Sequence, residues 1–322
     1  MSLHHVVTTY GNHEHLARLT RTLQRLDDEA GITVQHDIGK PAPGPGVLPA
    51  GVDLLATAAP VTWGDGSYLT ELLRTFRRAL DSQWRWLAVL SGQDYPLRPT
   101  AELLAHLEGD GTPGNGPTEG LLWNVTVPLP DDRATWTEEQ RRYWFRHHWI
   151  APGTWRAGGG ARGIGRAVRG AVALPRLRDR AYFRSRPRGE PGGVGTLVRR
   201  APFSSARPCR KGSDYVLLAR PLIEELLDAA RREPELLEYF RHTAIPSESW
   251  FHTVLGTQHA ATLRDELLHF TRFEGGVNPR VLVDDDFDDA RASGRFYTRK
   301  FDAHSSALLD RIDRELLGLA ST

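Results

Sequence analysis

The sequence predicts an α/β fold with a mainly parallel central sheet flanked by helices, in a single domain. Two observations carry this. Strand and helix patterns alternate through the first hundred residues. Within them Trp86-Leu87-Ala88-Val89-Leu90 is a continuous apolar run, the pattern of a strand covered by helices on both faces. A chain of 322 residues, 40% hydrophobic and 25% charged, can bury such a core without cross-links.

The elements follow in order. Val6 to Tyr10 reads as the first strand, followed by a helix with Leu16, Leu19, Leu23 and Leu26 on one face. Ile32-Thr33-Val34 is a second strand, ending at His36-Asp37, and a Pro/Gly loop fills Gly39 to Pro49. Asp53 to Ala56 is a short strand. Ser67 is a cap candidate for a helix from about Tyr68 to Ser82. Residues 151–210 are rich in Gly, Arg and Pro with little periodicity, which reads as an insert or lid. Tyr215 to Leu218 is a strand, Pro221 to Arg232 a helix, and Pro246-Ser247 opens another helix from Glu248 to about Leu255. A last helix runs from Ala303 to about Leu317. The organisation is thus a nucleotide-binding half (1–130), the insert (151–210) and a second half (211–322).

Ser91-Gly92-Gln93-Asp94-Tyr95-Pro96-Leu97 follows the apolar strand directly. Ligands of open α/β sheets bind beyond the carboxyl ends of strands. There Gly92 would let the backbone approach a ligand, and Asp94 would offer a carboxylate to sugar hydroxyls. The same residues fit an ordinary tight turn. With Thr62-Trp63-Gly64 before it, this block resembles the signature of the core-2/I-branching and peptide O-xylosyltransferase family. Three further blocks occur in the family's order: Gly212-Ser213-Asp214-Tyr215, Ile245-Pro246-Ser247-Glu248-Ser249-Trp250-Phe251-His252-Thr253-Val254-Leu255, and Tyr297-Thr298-Arg299-Lys300-Phe301-Asp302. No family motif falls between about Ala151 and Arg210.

The resemblance implies a nucleotide-sugar fold of the GT-A type and inverting, metal-independent transfer of a sugar from a UDP-sugar (N-acetylglucosamine, xylose or glucose) to a hydroxyl of a small-molecule or glycan acceptor. Glu248 matches the catalytic base, and Arg299 and Lys300 match the clamp on the leaving diphosphate. Asp214 matches an acid beside the reacting groups. Trp63, Gly64, Gly92, Asp94 and Asp37 fall on the donor side, Asp37 against the nucleoside, and Arg280 is a third candidate cation. Physical chemistry supplies plain alternatives. Glu248 also fits the first turn of a helix capped by Ser247, Asp214 a turn, and Arg299-Lys300 a solvated pair.

Other signals exclude more than they suggest. The net charge of +1 gives no field for nucleic acid. Cys209 is the single cysteine, so an internal disulfide and a cysteine zinc site are out. Asp284-Asp285-Asp286 has the spacing of a metal-binding pair but reads as an acidic helix start before Phe287, and no metal or other cofactor is expected. Gly159-Gly160-Ala161-Arg162-Gly163-Ile164-Gly165 lacks the preceding strand of a dinucleotide site. His147-His148 lack a partner acid. No apolar run is long enough for a membrane span. The N-terminus lacks a leader pattern, and the expected compartment is cytoplasmic. The alternative to an enzyme is a nucleotide- or carbohydrate-binding protein of the same fold that lacks catalysis.

Overall fold

The computed structural model describes residues 3–9, 11–112, 116–131, 136–150, 181–184, 192–275 and 278–320. It opens with strand β1 (Leu3–Thr9) and helix α1 (His13–Leu26). Asn12, in the left-handed region at φ 52°, caps α1 by accepting from His15 N. β2 (Gly31–His36) and β3 (Val52–Ala56) continue the sheet. Helix α2 (Gly66–Ala79) is capped by Asp65, which accepts from Ser67 N at 2.8 Å. Ser67 therefore lies inside the helix and is not its cap. The apolar run is β4 (Trp86–Ser91), buried at every position. β5 (Asp94–Pro96), α3 (Thr100–Glu108), β6 (Gly120–Leu121), β7 (Asn124–Thr126), α4 (Glu138–Tyr143) and β8 (Phe145–Ile150) follow.

The expected lid lies mostly outside the described residues, as does the glycine motif at 159–165. Its described part is not structureless: β9 (Ala181–Arg184) and β10 (Gly192–Leu197) form an antiparallel sheet with β8, in the order β8-β10-β9. Then come β11 (Arg210–Gly212), β12 (Leu217–Ala219), α5 (Arg220–Arg232), α6 (Pro234–Arg241) and α7 (Ser247–Gln258). β13 (Leu263–Arg264), β14 (His269–Thr271), a 3₁₀ turn at Asp284–Asp286, α8 (Phe287–Ala292), β15 (Tyr297–Arg299) and α9 (Ser306–Glu315) complete the described chain.

Among the described residues, seven strands make the central sheet in the order β13-β6-β12-β4-β1-β2-β3. Only β12 runs antiparallel to its neighbours; β4, β1, β2 and β3 are parallel. Period-two alternation sends Val6, Leu87 and Val89 into one apolar cluster with residues of α2, α5, α6 and α7. Leu3, Val7, Trp86, Ala88 and Leu90 enter the opposite cluster with residues of α1, α3, α8 and α9. Helices on both faces are why the β4 run is continuously apolar. The chain passes from β1 outward through β2 and β3, then returns to β4 on the other side of β1. The carboxyl ends of β1 and β4 therefore flank a topological switch point, the place where such sheets bind ligands. No helix among the described residues is long and apolar enough to cross a membrane.

Candidate functional site

Four segments converge beyond the carboxyl ends of β1 and β4, and α7 organises them. Its first turn carries Glu248, and its next turns are stitched to β11. Ser249 Oγ donates to Arg210 O at 2.6 Å, Thr253 Oγ1 accepts from Arg210 N at 3.0 Å, and His252 Nε2 donates to Ser213 O at 2.9 Å. Burial pushes the His252 imidazole down to about 4, so it stays neutral and keeps that bond. Gly212 makes the close approach possible, since a Cβ there would stand 2.2 Å from Trp123 O and 2.4 Å from the His252 ring. The result brings Asp214, just beyond β11, to the Glu248 end of α7.

The entry to α7 is strained. Ile245 has φ 53°, a region that β-branched residues rarely occupy. Its N–H is held by Gly64 O at 2.9 Å. Ser247 does not cap the helix: Pro246 holds the capping position, without a side-chain hydrogen bond, and the Ser247 hydroxyl bonds Asp214 instead.

The electrostatics distinguish the two acids. The Glu248 side chain is 26% exposed, and its Oε2 lies 3.1 Å from Arg142 Nη1. Asp214 is more enclosed. Burial, then the Glu248 carboxylate, push its carboxyl up to about 7, against the pull of Ser247 and Arg299. Burial also raises the hydroxyls of Tyr68, Tyr143 and Tyr215 above their usual range, so these groups around the acids are neutral donors.

Asp94 is placed differently from the sequence expectation. It is fully buried, not facing a crevice. Its Oδ2 accepts from Ser91 N at 2.7 Å and lies 3.0 Å from His269 Nε2; its Oδ1 accepts from Ser91 Oγ and lies 3.3 Å from Arg299 Nε. Burial alone would raise its carboxyl, but His269 and Arg299 overcome this and hold it below the usual range. Asp94 is thus an anchor for Arg299, whose guanidinium sits 4.3 Å from the centre of the Tyr215 ring. The register repeats the anchor, because β15 pairs antiparallel with β5, Arg299 opposite Asp94. Gly92 is tight for a similar reason. Its close neighbour is Thr9 Oγ1, 2.8 Å from a built Cβ, so the meeting of the two strand ends leaves no room for a side chain there.

The remaining candidates divide. Asp37 is buried, and its Oδ1 accepts from Gly39 N at 2.9 Å and Val61 N at 3.0 Å. It pins the segment that presents Trp63, which is 51% exposed. Lys300 makes no ion pair among the described residues, and its neighbour Phe301 hangs from Gln93 O at 2.9 Å. Arg280 is not a spare cation: it forks onto Asp286, with one bond of 2.8 Å, and pairs with Glu274 at 2.6 Å. Asp286 in turn is buried and bonds Val283 N, so the acidic triplet is a structural knot. Among the described residues no three His, Cys, Asp or Glu side chains group as a metal site. The structure therefore links Asp37, Trp63-Gly64, Glu248, Asp214, Arg299 and Asp94 into one region, and leaves Arg280 committed elsewhere.

Sequence reasoning missed Arg142, His269 and Tyr68. Arg142 is one arginine among many, and only the fold puts it on Glu248. His269 is 175 residues from Asp94, and no local pattern announces it.

No protein-family model matches the chain. It is 25% identical over 282 residues to xylosyltransferase oxt of Drosophila pseudoobscura pseudoobscura, covering 80% of this chain and 26% of that protein. It is also 25% identical over 287 residues to xylosyltransferase oxt of Drosophila melanogaster, with the same coverage. The similarity is thus to glycosyltransferases, and the chain spans about a quarter of the length of these relatives.

Proposed function

We propose that this chain is an inverting glycosyltransferase of the GT-A type that moves a sugar from a UDP-sugar to a hydroxyl acceptor without a metal ion. The observation that carries the reading is the accessible Glu248 carboxylate in the first turn of α7, beside the enclosed Asp214, which in turn feels the charge of Arg299. Glu248 takes the proton of the acceptor hydroxyl as its oxygen attacks the anomeric carbon. The bond from that carbon to the diphosphate breaks, and its electron pair leaves on the UDP oxygen. Arg299, held by Asp94 and Tyr215, and Lys300 offset the charge that develops there. Asp214 bonds an oxygen of the acceptor or the transferred sugar. Trp63 and the segment pinned by Asp37 hold the donor's nucleoside end. UDP-xylose is the first donor to try, because the relatives are named xylosyltransferases, and UDP-N-acetylglucosamine and UDP-glucose follow.

The test is release of UDP from each donor, with water or a small glycoside as acceptor, in excess EDTA. Release from one donor that chelation leaves unchanged is the expected result. UDP binding without any turnover would instead make the chain a binding protein, and activity lost in EDTA and restored by manganese would assign the charge stabilisation to a metal.

A further inference from the structure

Glu248 and Asp214 are two carboxylates that feel one another. Such a pair does not readily carry two charges, so one proton is shared and the surroundings decide where it sits. The surroundings here are unequal. Facing Glu248 is Arg142, its Nη1 3.1 Å away and its side chain only 13% exposed. Arg142 is fixed at both ends: its carbonyl accepts from Ala244 N at 3.1 Å, and its Nε lies 3.5 Å from Glu138 Oε1. Facing Asp214 are Arg299, already committed to Asp94 and the Tyr215 ring, and the neutral hydroxyls of Ser247 and Tyr68. The buried Tyr143 hydroxyl feels the charge of both acids and is held neutral as well. Asp214 Oδ1 is buried without a hydrogen-bond partner among the described residues, a position where an ionised oxygen is costly and a protonated one can donate.

We propose that Arg142 is a positioning residue that divides the work of the two acids: it keeps Glu248 ionised and aimed at the acceptor, and leaves the shared proton on Asp214, which presents it as a hydrogen-bond donor to a substrate oxygen. The inference rests on the reading of Glu248 as the base. During turnover the acceptor proton goes to Glu248, and the Asp214 proton stays where it is.

The experiment is a ¹³C-carboxyl NMR titration of the full chain across the pH range over which it stays folded, from pH 3 upward to 9, with signals assigned by Glu248→Gln and Asp214→Asn. In the wild type Asp214 should titrate near 7 and Glu248 well below it. In Arg142→Gln the Glu248 midpoint should rise by about one pH unit or more, the usual effect of losing an adjacent opposite charge, and the Asp214 midpoint should fall. Arg142→Lys should keep most of the wild-type pattern. With UDP-xylose, the acid limb of turnover in Arg142→Gln should move up in step while the donor KM stays within a few-fold. Unmoved midpoints in Arg142→Gln would overturn the proposal. So would a wild type in which Glu248 rather than Asp214 titrates near 7, a reading that needs no variant to fold. If Glu248→Gln retains full turnover, the base assignment itself fails; if it loses turnover while the Arg142→Gln midpoints stay put, only the role of Arg142 fails.

Discussion

Asp214→Asn should make the protein more stable at pH 8 and leave its stability nearly unchanged at pH 4. The carboxyl rises from 3.8 to about 7 on folding, so the folded state holds the proton that the unfolded state has released. For an acid raised in this way, stability is highest below the unfolded value, falls as pH rises through about 4 to 7, and stays reduced above. The full gap of about 3 units, at about 1.4 kcal/mol each, sets a ceiling of about 4 kcal/mol. Sharing of the proton with Glu248 and partial access to water bring the expected gain to about 2 kcal/mol. Asparagine does not titrate and still accepts from Ser247. The melting temperature should rise by about 4 °C at pH 8. Urea unfolding of both proteins at pH 4, 6 and 8 measures the gap directly. A gap that does not grow with pH, or a variant less stable than wild type at pH 8, would refute the assignment of a strained, proton-holding Asp214.

Lys300→Ala should weaken UDP binding by about tenfold or more, the scale of a lost charge-assisted hydrogen bond, while uridine binding changes little; calorimetry with both ligands separates the two. Asp94→Asn should cost about 3 kcal/mol, because it leaves Arg299 and His269 facing an amide in a buried site, and should weaken UDP binding as Arg299 loosens. The Asp94 carboxyl is held low in the folded state, so its contribution is present above about pH 4 and lost only as pH falls below that. The wild-type advantage over Asp94→Asn, read by thermal denaturation, should therefore be flat from pH 5 to 8.

The parts of the fold that sequence reading reached are those set by local periodicity. Trp86 to Leu90 carries the signature of a strand covered on both faces, and it is the fully buried β4. The acidic triplet before Phe287 is the 3₁₀ turn that leads into α8. What local pattern does not reach depends on partners far along the chain. Asp94 sits in a turn-like string at a strand end, which argues for exposure; His269 and Arg299 bury it instead. Arg280 looks like a free cation until the turn at Asp284–Asp286 folds back and supplies Asp286. Ser67 and Ser247 have the chemistry of caps but lie one or two positions inside their helices, because Asp65 and the Ile245-Pro246 reversal set the helix starts. Glycine-rich strands such as β10 escape a reading based on apolar alternation, since backbone pairing with β8 and β9 defines them. Glu248 was legible as a first-turn acid; that Asp214 and Arg142 flank it was not, because three separate elements meet there.

The central claim, that Glu248 is the base of a sugar transfer, is tested most directly by Glu248→Gln with the preferred UDP-sugar. UDP affinity should stay within a few-fold of wild type, because the leaving group is bound by Arg299 and Lys300, while turnover should fall by about a hundredfold or more, the loss expected when a general base is removed. A variant that turns over at the wild-type rate with UDP bound normally would contradict the account.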